Sequence, residues 1–401
     1  MKNITSTVVL LVAAVWLQCN SKTIVSTSES LSTPDVAQQT EVQVGADQLD
    51  VFLPLLRNKN VALVVNHTSL VGETHLADTL QSFGISIKKV FAPEHGFRGA
   101  AADGEKINDS FDQKTGLPII SLYGSNMKPT PEQLADIDIV IFDIQDVGTR
   151  FYTYISTMHY VMQACAEQGK KLIILDRPNP NGSYIDGPVR VPELKSFVGM
   201  HPIPIVHGLT VGELARMING EGWLENGLTC NIEIIAVRNW KHNDFYSLPV
   251  KPSPNLPNDQ AVRLYPSLCL FEGTVISVGR GTQTPFLVIG NPGFSDMPFQ
   301  FTPVPIPGMS NEPPHKGKVC YGLDLSHVSV PQRINLKYLL DFYNKYSDKE
   351  KFFTASFNRL AGTPELQKQI RDGFTEEQIR ATWQNGLAEF NTLRQKYLMY
   401  P

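Results

Sequence analysis

Cysteine is scarce in this chain, five in 401 residues. None of the five sits in a CxxC pair or at the Cys/His spacing that holds zinc. No run of lysine or arginine breaks a chain whose formal charge is -4, so the electrostatic footprint of a nucleic-acid binder is missing. No GxGxxG follows the first apolar strand, and no GxSxG elbow occurs anywhere; these absences argue against a bound dinucleotide and against a serine hydrolase of the α/β type. His67, His95 and His207 do not share helical i, i+4 spacing, so a metal triad is not expected. The reading calls for no cofactor and no metal.

The remaining composition is that of a globular protein, 42% hydrophobic and 18% charged. A chain this long predicts two domains. Residues 1–19 read as an export signal: Lys2 precedes an apolar run over residues 8–17 that is too short to span a bilayer. Cys19 follows directly and is the acylation site of a lipoprotein, although Gln18 is larger than the residue usual before it; cleavage near Ala13 or Ala14 is the soluble alternative. Either way, as with a retained anchor, the protein is expected outside the cytoplasm, in the periplasm, anchored to a membrane or secreted, and acylated Cys19 is the membrane contact of the lipoprotein reading. Residues 20–42 are rich in Ser and Thr and read as a linker. Cys165, Cys230, Cys269 and Cys320 read as small buried apolar groups, though an oxidising compartment would permit disulfides.

From residue 43 the pattern becomes α/β. Apolar strands are predicted at 61–65, 85–91, 118–122, 137–144, 171–176 and 231–237, with helices at 75–83, 154–168 and 211–219. Continuous apolar strands alternating with helices imply a parallel sheet covered on both faces, here a Rossmann-like domain over 43–255. The proline-rich stretch 249–257 excludes helix and leads into a smaller α+β auxiliary domain over 256–401. That domain has strand-like stretches at 275–278, 286–289 and 319–325 and helices at 335–346, 364–372 and 375–397.

In open parallel sheets the ligand site lies beyond the carboxyl ends of the strands, and polar residues cluster there. Asn66 and His67 follow the first strand. Pro93-Glu94-His95-Gly96-Phe97-Arg98-Gly99 follows the second, Tyr123 the third, and Asp143, Asp146 and Arg150 the fourth. Glu94 is held on a proline- and glycine-framed turn near Phe91 and Phe97, where desolvation would favour the neutral acid and suit it to donate a proton to a glycosidic oxygen. A surface Glu–Arg pair is the alternative. Glycoside hydrolysis ordinarily needs a second carboxylate, and Asp143, Asp146 and Glu272 are the candidates; Asp143 and Asp146 are equally readable as structural ion pairs. Arg98, Arg150, Arg177 and Arg280 are candidate receptors for a substrate carboxylate, or braces of loops. Tyr123, Tyr152, Tyr154 and Trp240 can stack on sugars or pack in the core.

Six motifs then fall in one order: Asn66-His67-Thr68; the Glu94 segment just given; Asp143 through Tyr154; Asp176 through Pro180; Pro252 through Pro257; and Glu272-Gly273-Thr274 with Gly279-Arg280-Gly281-Thr282. Over about residues 43–400 the chain resembles the exo-β-N-acetylmuramidases of the NamZ type. The resemblance implies a Rossmann-like domain with a C-terminal auxiliary domain and a cleft between them. It implies removal of terminal non-reducing N-acetylmuramic acid (MurNAc) from peptidoglycan-derived saccharides such as MurNAc-GlcNAc, with Glu94 catalytic and Asn66, His67, His95, Arg98, Arg150, Tyr123, His207 and Arg280 as substrate-binding candidates. Val275 departs from the pattern, where a polar residue such as Asn is expected. A cell-wall amidase or esterase, and a non-catalytic sugar-binding lipoprotein, are the rival readings.

Overall fold

The computed structural model describes residues 41–99 and 109–401; the expected signal, Cys19 and nearly all of the linker lie outside the described residues. Strand β1 (Asn60–Val65) is followed by a small hairpin of β2 (Leu70–Val71) and β3 (Thr74–His75), then by β4 (Ser86–Ala92), β5 (Ser110–Phe111) and β6 (Pro118–Ser121). β7 (Ile139–Asp143), β8 (Lys171–Leu175) and β9 (Asn231–Ile235) complete a seven-stranded sheet in the order β5-β6-β4-β1-β7-β8-β9. All neighbours pair in parallel except β5, which caps the edge antiparallel to β6. The chain builds outward from β1 through β4 to β6, then returns to β1's other side to begin β7. Numbered by chain order, the parallel strands run 3-2-1-4-5-6, the Rossmann arrangement, with its switch point beside β1.

Alternation along the strands explains the layers. Val61, Leu63 and Val65 face Phe52 and Leu56 of helix α1 (Leu49–Leu56) and Leu76 and Leu80 of α2 (Leu76–Ser82). Ala62 and Val64 face the opposite side; after the short α3 (Pro131–Leu134), that side is covered by Met158 and Met162 of α4 (Tyr154–Glu167) and Leu214 and Met217 of α5 (Val211–Gly220). Each such side chain, fully buried, is worth about 1.5–3 kcal/mol. β9 ends before the expected residue 237 because Ala236 and Val237 pair elsewhere: the Ala236 carbonyl accepts from Gln48 Nε2 and the Val237 N–H donates to the Tyr400 hydroxyl.

Helix α6 (Asp259–Leu268) begins just past the proline-rich stretch and carries Pro266 inside it. Proline cannot donate to the carbonyl four residues back, and that carbonyl, on Val262, instead accepts from Asn181 Nδ2. The C-terminal half then carries an antiparallel sheet of β10 (Val288–Asn291), β11 (Phe299–Phe301) and β12 (Cys320–Asp324) in the order β10-β12-β11. Phe286 has a left-handed backbone, φ 57°, so β10 starts later than the apolar run suggests. The expected strand at 275–278 is not one; only an isolated bridge joins Ser277 to Gly290. Helices α7 (Lys337–Lys345), α8 (Phe357–Ala361), α9 (Glu365–Arg371) and α10 (Glu376–Arg394) follow. Residues Glu41–Pro401 form one compact unit, and Phe271, Phe342 and Phe390 continue the apolar cluster that Val64 and Met158 begin. Cys165, Cys230, Cys269 and Cys320 are free thiols, all buried.

Candidate active site

A cavity of about 490 Å³ opens at the carboxyl end of the parallel sheet, within the range that holds a small ligand. Its walls are the loops that follow successive strands: Glu94 and His95 after β4, Tyr123 after β6, Tyr152 to Tyr154 after β7, Phe197 after β8 and Asn255 after β9. The C-terminal half closes the remaining side with Tyr265, Glu272, Arg280 and Arg359.

Glu94 stands on a tight turn in which the Gly96 N–H donates to the Pro93 carbonyl at 3.0 Å. His95 takes a left-handed backbone, φ 69°, followed by Gly96 at φ 78°. For a residue with a Cβ that conformation costs about 1 kcal/mol or more, and such strain gathers at functional turns. The Glu94 carboxylate accepts from Thr153 Oγ1 at 3.1 Å, and the Tyr154 hydroxyl lies 3.5 Å from the Glu94 carbonyl. Burial pushes the Tyr154 phenol well up, so it stays protonated and acts as a donor. The apolar neighbours expected of Glu94 are not its surroundings. Phe97 turns away to pack edge-on against His75, 4.8 Å between centroids, and neither Phe91 nor Phe97 lines the cavity.

Glu272 comes from the 3-10 turn Cys269–Gly273 that prolongs α6. Arg280 Nε donates to its Oε1 at 2.5 Å, and the Cys269 thiol lies 3.5 Å from its Oε2. The Arg280 guanidinium rests over the Phe286 ring, 5.2 Å from the centroid. Gly273 fixes the turn's position: a Cβ there would meet Phe357 Cα at 2.5 Å, so only glycine lets the Glu272 turn lie directly on α8. The Thr354 N–H donates to the Gly273 carbonyl at 2.8 Å, and the Val275 N–H to the Phe352 carbonyl at 3.0 Å. The Glu272 segment and the residues leading into α8 therefore move as one piece.

Of the sequence candidates, Glu94, His95, Tyr123, Glu272 and Arg280 meet at the cavity, together with Tyr152 and Tyr154. The others do not line it. Asp143 is wholly buried against Arg177, with bonds of 2.5 and 2.9 Å; this is a structural pair, and it removes both residues from the site. Asp146 is buried and does not line the cavity, accepting from the Gly148 N–H at 2.7 Å, and burial pushes its carboxyl up to about 7. His207 is buried, its Nδ1 accepting from the Leu209 N–H and its Nε2 4.0 Å from Asp146; burial lowers it to about 3. Arg150 is buried as a clamp, donating to the carbonyls of Pro188, Ile203, Leu360 and Ala361. Arg98 pairs with Asp112 and Asp78. His67 Nε2 donates to the Lys251 carbonyl at 2.9 Å. Asn66 shapes its own turn, its Oδ1 accepting from the Thr68 N–H and hydroxyl. Trp240 packs on Tyr400 and His242, away from the cavity. The departure at Val275 is without consequence for the cavity, which it does not line; its carbonyl accepts from Asn291 and His315. Thr153, Phe197, Tyr265, Ser356 and Arg359 are among the lining residues that sequence reasoning missed. Thr153 lies inside one of the ordered motifs, whereas nothing around Arg359 marks it. Among the described residues no three His, Cys, Asp or Glu side chains gather as a metal site would need.

Two family models match the chain: the N-terminal region of exo-β-N-acetylmuramidase NamZ over residues 61–260 and its C-terminal region over residues 263–400. The chain is 38% identical over 398 residues to the peptidoglycan β-N-acetylmuramidase NamZ of Bacillus subtilis, covering 92% of this chain and 95% of that protein. Two crystal structures of DUF1343 family proteins from Bacteroides fragilis share the fold. One is 45% identical with a TM-score of 0.84 and the other 29% identical with a TM-score of 0.76; each alignment covers 90% of this chain and 99% of the other.

Proposed function

The chain belongs to the exo-β-N-acetylmuramidase NamZ family, and we propose that it is a glycosidase that releases terminal non-reducing MurNAc from peptidoglycan fragments. The observation that carries this reading is that two carboxylates from opposite halves of the chain, Glu94 and Glu272, line one cavity of about 490 Å³. Glu94 protonates the leaving glycosidic oxygen; Thr153, hydrogen-bonded to Oε2, fixes its orientation. Glu272, held by Arg280, is the carboxylate that faces the oxocarbenium-like transition state, as nucleophile or as base for water. Asp143 is enclosed by Arg177 and Asp146 is buried without lining the cavity, which leaves Glu272 as the second carboxylate. Tyr123 and Phe197, with ring centroids 6.5 Å apart, offer an aromatic wall to the apolar face of a sugar ring.

Glu94→Gln keeps the side chain's shape and its contact with Thr153 but removes the transferable proton. Release of MurNAc from the disaccharide MurNAc-GlcNAc should fall by about 100-fold to 10,000-fold, with the circular dichroism spectrum and melting temperature unchanged. Near-normal release by that variant would reject Glu94 as the acid. The N-terminal residues support export, with acylation at Cys19, which would bring the enzyme to its polymer. Cys19→Ala should move the protein from the membrane to the soluble fraction of disrupted cells, and an unchanged membrane fraction would reject the lipid anchor.

A further inference from the structure

We infer that Arg359 is the receptor for the lactyl carboxylate of MurNAc, the group that distinguishes this sugar from GlcNAc. The inference rests on the muramidase reading and adds the residue that sets its substrate preference. An anionic sugar needs a cation in its cavity, and among the described residues two guanidinium groups line this one, those of Arg280 and Arg359. Arg280 is engaged by Glu272 at 2.5 Å and lies over Phe286. Arg98, Arg150 and Arg177, which the sequence offers equally well for this role, are occupied by Asp112, by four backbone carbonyls and by Asp143 respectively. Arg359 differs from all of them. Its side chain makes one hydrogen bond, from Nη2 to Ser356 Oγ at 3.2 Å, and among the described residues no carboxylate pairs with it. It is exposed, on α8 at the cavity's C-terminal wall.

Its placement is built rather than incidental. α8 lies against the Glu272 turn through the close approach at Gly273, and the backbone bonds of Thr354 and Val275 tie the two segments together. A guanidinium carried on α8 is thereby held at a fixed position relative to the catalytic carboxylate. Ser356, which also lines the cavity, orients the fork. An arginine held by one neutral hydroxyl keeps its remaining N–H donors for a carboxylate, which it can bind bidentately. The guanidinium lies on the same segment as one catalytic group, so binding the lactyl group there places the sugar's reacting carbon relative to Glu272.

The test uses two chromogenic substrates, 4-nitrophenyl β-MurNAc and the same glycoside with its lactyl group as the neutral methyl ester, with the full-length protein and its Arg359→Gln and Arg359→Lys variants. The unmodified protein should favour the acid over the ester in kcat/KM by about 10-fold to 100-fold, the worth of a charge-assisted hydrogen-bonded pair. In R359Q that ratio should fall to within about threefold of one, mainly through KM on the acid; R359K should fall between the two. A ratio that persists in R359Q, or equal losses on both substrates, would overturn the role of Arg359. Failure of the unmodified protein to hydrolyse either glycoside, with MurNAc-GlcNAc also left intact, would instead remove the muramidase reading itself.

Discussion

The substitution Asp146→Asn should stabilise the protein above neutral pH and leave it little changed in acid. Asp146 is buried near the start of the loop after β7, with its Oδ2 accepting from the Gly148 N–H at 2.7 Å and its Oδ1 without a hydrogen-bond partner among the described residues. Among those residues no charged group of opposite sign pairs with it. His207, 4.0 Å away, is held neutral because burial lowers it to about 3. Burial therefore outweighs the backbone N–H donors of Gly148 and Val147 and raises the Asp146 carboxyl from the ordinary 3.8 to about 7. The folded state keeps a proton through this interval that the unfolded chain has already released. Stability from this group is thus fully present below about pH 4, declines as pH rises, and is gone above about pH 7. At about 1.4 kcal/mol per pH unit the interval amounts to about 4 kcal/mol. In D146N the side-chain amide oxygen can accept from the Gly148 N–H as the carboxylate does, but carries no charge at any pH. Urea unfolding of both proteins at about pH 5 and pH 8 isolates the effect, because every other titrating group cancels in the comparison. The advantage of D146N should grow by about 3 kcal/mol between those conditions. An advantage that stays constant with pH, or reverses at pH 8, would refute the assignment of a buried, uncompensated carboxyl.

Three further outcomes follow from the same geometry. Glu272→Gln should lower kcat on MurNAc-GlcNAc by at least about 100-fold while costing only about 1–3 kcal/mol of stability through the weakened Arg280 pair; ordinary turnover would return the second-carboxylate role to another residue. Gly273→Ala drives a Cβ to within 2.5 Å of Phe357 Cα, a backbone obstacle that cannot rotate aside, so it should destabilise by about 1–3 kcal/mol and lower kcat as the Glu272 turn separates from α8, both read from denaturation and steady-state kinetics. Asp143→Asn leaves Arg177 buried without its partner and should destabilise by about 3–5 kcal/mol, yet the residual folded protein should keep its turnover per molecule, since neither side chain lines the cavity; a variant that is stable but inactive would contradict the structural role given to the pair.

The contrast between Arg150 and Arg359 shows which parts of such a site a sequence discloses. The parallel sheet is legible because its strands are continuous apolar runs, and the strand-end rule then points to Glu94, His95 and Tyr123 without any coordinates. Glu272 and Arg280 are legible because glycines frame them. The rule fails for Asp143 and Arg150, which also follow a strand, because a charged group that seals the base of a loop and one that meets a ligand are written in the same letters. What separates them is burial and satisfaction: Arg150 donates to four carbonyls and Asp143 accepts twice from Arg177. Arg359 is hidden for the opposite reason. It lies on a five-residue helix whose one flanking glycine, Gly362, is an ordinary helix cap, and reaches the cavity because Gly273 lets that helix rest on the Glu272 turn. A side chain brought to a site by another segment's packing leaves no local signal. The C-terminal half therefore does more than cover the cleft: it contributes Glu272 and the guanidinium groups of Arg280 and Arg359, and the sheet contributes Glu94. Catalysis depends on the continuous core that joins them, which is why substitutions at Gly273, distant in sequence from Glu94, should register in kcat and not only in stability.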